Sequence, residues 1–260
     1  MGRKTCHDTE SIPEELLACL SDASKVVVLT GAGVSAESGI PTFREAHTGL
    51  WARYDPMELA SPAAFDRDPA TVWAWYQWRR ELIARARPNP GHHALAQLQH
   101  RVAELVTITQ NVDGFHALAG SDDVLELHGN IQRNVCSRTG RPIDAAWLER
   151  HSEHQPPPSP HHQQGLARPD VVWFGEALDA GVIEKAFSAA ESCDVVITAG
   201  TSGAVQPAAS IPVAAVRAGA VMIDVNPEPN ELSRLARWHL AGPSATWLPA
   251  LVKALGGRPA

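Results

Sequence analysis

An α/β fold, a parallel sheet with helices on both faces plus a smaller inserted module, is predicted by three features of the sequence. Five β-rich apolar runs recur along the chain, stretches of helical periodicity separate them, and each run is followed by a small, polar or glycine-rich segment. Continuous apolar strands alternating with helices require a sheet covered on both faces. The segments after the strands then converge on the carboxyl edge of the sheet, where open α/β sheets bind ligands.

In chain order, "SIPEELLACL" opens a helix, with Ser11 as the expected N-cap and Glu14 three residues later in a capping-box pattern. It leads into the strand "KVVVLT" (25 to 30) and the turn "GAGVSAESG". Within a stretch rich in Trp and Pro, "AWYQWRRELI" (74 to 83) reads as helix and gathers Val72, Trp75, Tyr76, Leu82 and Ile83 on one stripe. Arg79 falls in the middle of that stripe, Arg80 at its flank, and Gln77, Glu81 and Arg85 on the opposite side. A guanidinium on a buried face must be paired, either with a protein carboxylate or with something that arrives later.

The helical "GHHALAQLQHR" precedes "ELVTIT" (104 to 109), which ends in "QNVDG", and "DVLEL" (123 to 127) ends in "HGN". After the loop-like "QPPPSPHHQQG" come "DVVIT" (194 to 198) with "AGTSG", the helical "AASIPVAAVRA", and "AVMIDV" (220 to 225) with "NPEPN". The alternation assigns residues 1–44, 90–131 and 169–260 to a large Rossmann-like domain, and residues 45–89 and 132–168 to a small module over the cleft. No internal repeat is evident.

At 260 residues, 44% hydrophobic and 20% charged, the composition is that of a soluble globular protein with a substantial core. A formal charge of −7 argues against non-specific binding to nucleic acid or anionic membranes. "MGRKTCHDTESIPEE" lacks the apolar region of a signal peptide, and no run approaches the ~20 apolar residues of a membrane span, so a cytoplasmic location is expected. Cys6, Cys19, Cys136 and Cys193 are scattered, which implies reduced thiols rather than a disulfide framework.

Gly31 and Gly33 directly after the first strand provide a tight turn and the close backbone approach a pyrophosphate needs, but the next glycine is Gly39 where a dinucleotide fingerprint wants position 36. Gln110, Asn111 and Asp113 end the next strand, an amide and a carboxylate able to pair with both ends of a carboxamide. His128 stands at a further strand end as a candidate base. A plain tight turn, an Asx turn and a structural histidine are the ordinary alternatives at these three places.

Together, "GAGVSAESGIPTFR", "TQNVDGFH", "LHGN", "RPDVVWFGE", "AGTSGAVQPAA" and "VNPEP" resemble the sirtuin family of NAD-dependent protein-lysine deacylases, in the family's order and over nearly the whole chain from residue 26. The resemblance implies that Gly31, Ala32, Gly33, Glu37, Thr42, Phe43 and Arg44 contact NAD, with Phe43 shielding the ribose. It places Gln110, Asn111 and Asp113 around the ribose and nicotinamide, and Gly200, Thr201, Ser202, Asn226, Pro227 and Glu228 at the phosphate and adenosine end. His128 is the implied general base, taking a proton from a ribose hydroxyl, with Asn111 beside it in the catalytic set. The segment Val172, Trp173, Phe174, Gly175 and Glu176 matches the stretch that pairs as an extra strand with an acylated lysine-containing protein.

Two places bear on which kind of sirtuin the chain resembles. The family usually grips a structural zinc with two spaced pairs of cysteines, whereas here Cys136 stands alone, Thr139 replaces its partner and "PSPHHQQ" contains none. One thiolate does not make a closed tetrahedral site, so zinc is expected to be absent, unless His151, His154, His161 or His162 substitute. Tyr76 and Arg79 stand as the Y-x-x-R pair with which class III members recognise acidic acyl groups, which predicts removal of succinyl and malonyl as well as acetyl groups. An NAD or ADP-ribose binding module without turnover, and a protein ADP-ribosyltransferase, are the competing readings.

Overall fold

The computed structural model describes residues 4–41 and 55–256, so Thr42, Phe43 and Arg44 lie outside the described residues. The described chain opens with strand β1 (Lys4–Cys6), helix α1 (Glu14–Ser21), strand β2 (Lys25–Thr30) and the single turn α2 (Gly33–Ala36). Helices α3 (Pro56–Leu59), α4 (Pro62–Arg67), α5 (Pro69–Arg85) and α6 (Pro90–Leu98) precede strand β3 (Glu104–Thr109). Next come α7 (Phe115–Leu118), β4 (Val124–Glu126), β5 (Gly129–Cys136), α8 (Ala145–Arg150) and β6 (Ala167–Val171). The last described elements are α9 (Ala180–Glu191), β7 (Val195–Ala199), α10 (Ser210–Ala218), β8 (Val221–Asn226), β9 (Trp238–Ala241) and α11 (Ser244–Gly256).

Seven of the strands form one parallel sheet in the order β1-β9-β8-β7-β2-β3-β4. The apolar run of β2 is continuous because both its faces are buried: Val26 and Val28 join Leu16, Leu20, Leu95 and Leu248 on one side, while Val27 and Leu29 join Ala186, Ile211 and Met222 on the other. From β2 the chain builds outward first to β3 and β4 and then, on its other edge, to β7, β8 and β9. The switch point is therefore at β2, where Thr30 pairs with Thr109 of β3 and Ala199 of β7, so three strand-end turns emerge side by side.

A second, antiparallel sheet of β5 and β6, with its register broken between Asn130 and Asn134, packs beside α5. Helix α5 starts on a Pro after Asp68, whose carboxylate accepts from the Thr71 N–H. It buries Val72, Trp75, Tyr76 and Ile83 of the expected stripe, leaves Leu82 half-buried, and also buries Trp73, which packs with Cys136, Ile143 and Ala167. Arg80 is more than a flanking charge: its Nε donates to the Ile131 carbonyl at 2.6 Å and its NH2 to Asn134 Oδ1 at 2.7 Å, pinning β5 to the helix.

Two points differ from expectation. Ser11 does not cap α1; it lies in a short 3-10 turn, its hydroxyl donating to the Asp8 carbonyl, because Pro13 is extended and the helix begins only at Glu14. Strands β1 and β9 at one edge of the sheet escape the sequence pattern, being three and four residues long with a Lys or a buried His among them. No helix of the described residues is long and apolar enough to cross a membrane.

Candidate active site

The turns after β2 and β7 interlock. Gly31 N–H donates to the Ala199 carbonyl at 3.1 Å and Gly33 N–H to the Gly200 carbonyl at 2.8 Å. A Cβ on Gly33 would lie 2.7 Å from that carbonyl oxygen, and one on Gly200, whose φ is +57°, would lie 2.3 Å from the Val34 nitrogen. These glycines are therefore required by the contact of two loops, before any ligand is considered.

Behind them lies a buried polar network. The Ser35 hydroxyl accepts from Asn111 Nδ2 at 3.1 Å and donates to Asp113 Oδ2 at 2.7 Å, while Asp113 Oδ1 accepts from the Phe115 N–H at 2.9 Å. His92 Nδ1 accepts from the Asn89 N–H, so its Nε2 carries the proton toward Ser35 at 3.4 Å. Ser35, inside the glycine-rich stretch, thus orients both strand-end residues, a role no spacing rule reveals. Burial pushes the Asp113 pKa up, opposed by the Phe115 N–H, the Ser35 hydroxyl and the Arg79 charge. Gln110 completes the floor, its Nε2 donating to Thr201 Oγ1 at 2.9 Å.

His116 donates from Nε2 to Thr30 Oγ1, which donates on to Thr109 Oγ1, both at 2.8 Å. Burial drives His92 down to about 3, with neighbouring His116 and His93 adding to it, and drives His116 down to about 4. An unfolded histidine titrates near 6.5. Both folded values lie below it, so this contribution to stability is complete above about pH 6.5 and is lost as pH falls toward the folded values, by about 2 kcal/mol per histidine at pH 5. Thermal melts are expected to show a falling Tm from pH 7 to pH 5; a flat Tm would contradict the neutral, buried assignment.

His128 follows β4, and its Nδ1 lies 3.0 Å from the Gln110 carbonyl oxygen. A carbonyl only accepts, so Nδ1 bears the proton and Nε2 is left with its lone pair. Burial lowers the His128 pKa and the bond to Gln110 opposes the shift. The next residue must be glycine: Gly129 has φ +76°, and a Cβ there would lie 2.2 Å from the Asp170 carbonyl oxygen. The His128 carbonyl accepts from the Val172 N–H at 3.0 Å, joining the histidine to the 172–176 segment.

That segment is a turn after β6, not a continuation of the strand. Its Trp173 side chain points inward, 2% exposed, and donates from Nε1 to Tyr76 Oη at 2.9 Å. Phe174 is exposed, and Glu176 binds Arg168. Arg79 is half-buried, its Cζ 4.9 Å from the Trp75 ring centroid and 5.6 Å from that of Tyr76. Burial lowers its pKa, opposed by Tyr76 and by the Asp113 carboxylate.

At the other end of the edge, Asn226 donates from Nδ2 to the fully buried Asp224 at 2.6 Å. Asp224 also accepts from Thr198, Ser233 and His239 at 2.7, 2.5 and 2.9 Å. Asn230, which the sequence reading did not single out, donates to the Thr201 carbonyl at 2.9 Å. Thr201 is buried, whereas Ser202, Pro227 and Glu228 are exposed along the rim. Glu37 is exposed and accepts from the Ala245 N–H at 3.1 Å, where it caps the start of α11; Ala32 is half-buried in the glycine turn.

Residues 31–207 match the Sir2 family. The chain belongs to the Sir2 family. It is 49% identical over 237 residues to the NAD-dependent protein deacylase of Aeropyrum pernix, covering 91% of this chain and 95% of that one. It is 48% identical over 240 residues to NAD-dependent protein deacylase 1 of Pseudomonas aeruginosa, covering 90% and 95%. The crystal structure of a Sir2 homolog–NAD complex superposes with a TM-score of 0.87 at 40% identity, covering 98% of this chain and 96% of that one. A Sir2–p53 peptide–NAD+ structure superposes with a TM-score of 0.83 at 27% identity, covering 95% and 99%.

The zinc that Sir2 proteins usually carry does not suit the residues of this Sir2 chain. Burial raises the Cys136 thiol pKa, but hydrogen bonds with Ser159 and Thr139 and the N–H groups of Arg138 and Thr139 outweigh it and leave the group lowered. The candidate histidines are engaged locally: His151 with the Trp147 carbonyl, His154 with Glu153, His161 with the Pro142 carbonyl, His162 with the Gln164 N–H. Among the described residues no three His, Cys, Asp or Glu side chains gather as a metal site. Hydroxyls stand where a tetrahedral zinc needs thiolates or imidazoles. Elemental analysis is expected to find no stoichiometric zinc, and a chelator to leave Tm and activity unchanged; about one zinc per chain with activity lost on chelation would contradict this.

Proposed function

We infer that this chain uses NAD to remove acyl groups from protein lysines, giving nicotinamide and O-acyl-ADP-ribose. The observation that carries the reading is the fixed tautomer of His128. With Nδ1–H held by Gln110, the free lone pair on Nε2 is that of a base, and burial keeps the ring neutral. NAD supplies an electrophilic ribose carbon once nicotinamide departs. His128 Nε2 accepts the ribose hydroxyl proton, Asn111 and Asp113 orient the ribose and carboxamide from positions fixed by Ser35, and Gln110 with Thr201 holds the adjoining floor. Binding without turnover and ADP-ribosyl transfer are both disfavoured by the presence of Asn111, Asp113 and His128, each held by a hydrogen bond.

The finer assignments are part of the same reading. Gly31, Ala32, Gly33, Glu37, Thr42, Phe43 and Arg44 serve the cofactor on one side and Gly200, Thr201, Ser202, Asn226, Pro227 and Glu228 on the other. The turn at 172–176 meets the substrate peptide, and residues 45–89 and 132–168 form the module that carries the acyl pocket. Tyr76 and Arg79 give that pocket a phenol and a guanidinium for malonyl and succinyl groups. The net charge of −7 favours protein substrates over nucleic acid or anionic membranes, and the four free cysteines suit a cytoplasmic setting.

A pH–rate profile tests the role of His128. Because its pKa is lowered, the base stays neutral below the usual histidine value, and kcat/KM is expected to hold through pH 6.5 and fall only below it. An acid limb centred at or above pH 7 would exclude His128 as the base.

A further inference from the structure

The Tyr76 hydroxyl is held from behind. Tyr76 and Trp173 are 1% and 2% exposed, and the indole Nε1–H donates to Tyr76 Oη at 2.9 Å. Arg79 lies alongside, its Cζ 5.6 Å from the Tyr76 ring centroid. An indole N–H is a donor only, so this bond falls on a lone pair of the phenol oxygen and the phenol's own proton is directed elsewhere. The indole itself has little freedom. Arg168 lies with Cζ 3.3 Å from its ring centroid, Glu176 grips Arg168 through two bonds at 2.6 and 2.9 Å, and Phe65 packs against it with centroids 5.2 Å apart.

We propose that Trp173 is a positioning residue for acyl selectivity, its indole N–H fixing Tyr76 as a proton donor beside Arg79 for an anionic acyl group. This rests on the reading of Tyr76 and Arg79 as an acyl-carboxylate pocket. An acetyl group has no carboxylate to receive the phenol proton, so the orientation matters for succinyl-lysine and little for acetyl-lysine. It also links the turn that meets the peptide to the floor of the acyl pocket, since Trp173 belongs to the one by its backbone and to the other by its side chain.

The test replaces Trp173 by phenylalanine and, to keep ring volume while deleting only the N–H, by benzothienylalanine. The ratio of desuccinylation to deacetylation kcat/KM is expected to fall about 3- to 10-fold in both, through a higher KM for the succinyl peptide. In a Tyr76→Phe background the same replacement is expected to leave the ratio where Tyr76→Phe alone puts it. An unchanged ratio with benzothienylalanine, or an undiminished effect in the Tyr76→Phe background, overturns the proposal. Arg79→Met separates the two levels. If it lowers the ratio and the Trp173 replacements do not, only the positioning role fails; if it leaves the ratio unchanged, or the wild type removes no succinyl group, the pocket reading fails and this inference with it.

Discussion

His128→Ala is expected to fold, to bind NAD with near wild-type affinity, and to lose roughly 10²- to 10⁴-fold in deacylation rate, the usual cost of removing a general base. The ring's fixed contact is one bond to the Gln110 carbonyl, and the chain beside it is held by Gly129 and by the Val172 N–H, so the backbone has no need of the imidazole. The cofactor pocket is organised by Ser35, Asn111 and Asp113, none of which is hydrogen-bonded to His128. Calorimetric titration with NAD and single-turnover rates check the two halves. Equal activity in mutant and wild type would remove His128 from the mechanism; loss of NAD binding would make it part of the pocket.

Arg79→Met is expected to depress desuccinylation at least ~30-fold more than deacetylation, measured as kcat/KM on matched peptides. The side chain lies against Trp75 and Tyr76, where burial lowers its pKa and works against the charge. A succinyl or malonyl carboxylate offers the guanidinium two parallel hydrogen bonds in that low-dielectric setting, and truncating one member of such a pair costs about 2 to 5 kcal/mol. Acetyl-lysine makes no such bond and should be affected less. A parallel fall of both activities would mean that the pull of Asp113 on Arg79 is structural, holding α5 against the strand ends.

What could be read from the sequence follows from what was local. Strands β2, β3 and β7 are legible because they are buried on both faces, which leaves an uninterrupted apolar run; β9 carries His239 in four residues and β1 has no apolar run at all. Asn111, Asp113 and His128 could be nominated because strand ends in a parallel sheet point to one edge. Ser35 could not, since its partner Asn111 is 76 residues away and the hydroxyl gains its meaning only when α2 is folded against β3. The same holds for Trp173 and Tyr76, 97 residues apart, and for Arg80, whose acceptors on Ile131 and Asn134 lie 51 and 54 residues away. The spacing of the first-turn glycines suits a phosphate's approach, while the structure gives them a prior role in admitting the Gly200 loop.

The most direct test of the account is mass spectrometry of the purified protein incubated with NAD and acetyl- or succinyl-lysine peptides. The expected products are the unmodified peptide, nicotinamide and O-acyl-ADP-ribose in equal amounts, formed only when NAD is present. Unchanged peptide beside bound NAD, or a peptide carrying ADP-ribose with its acyl group intact, would contradict it.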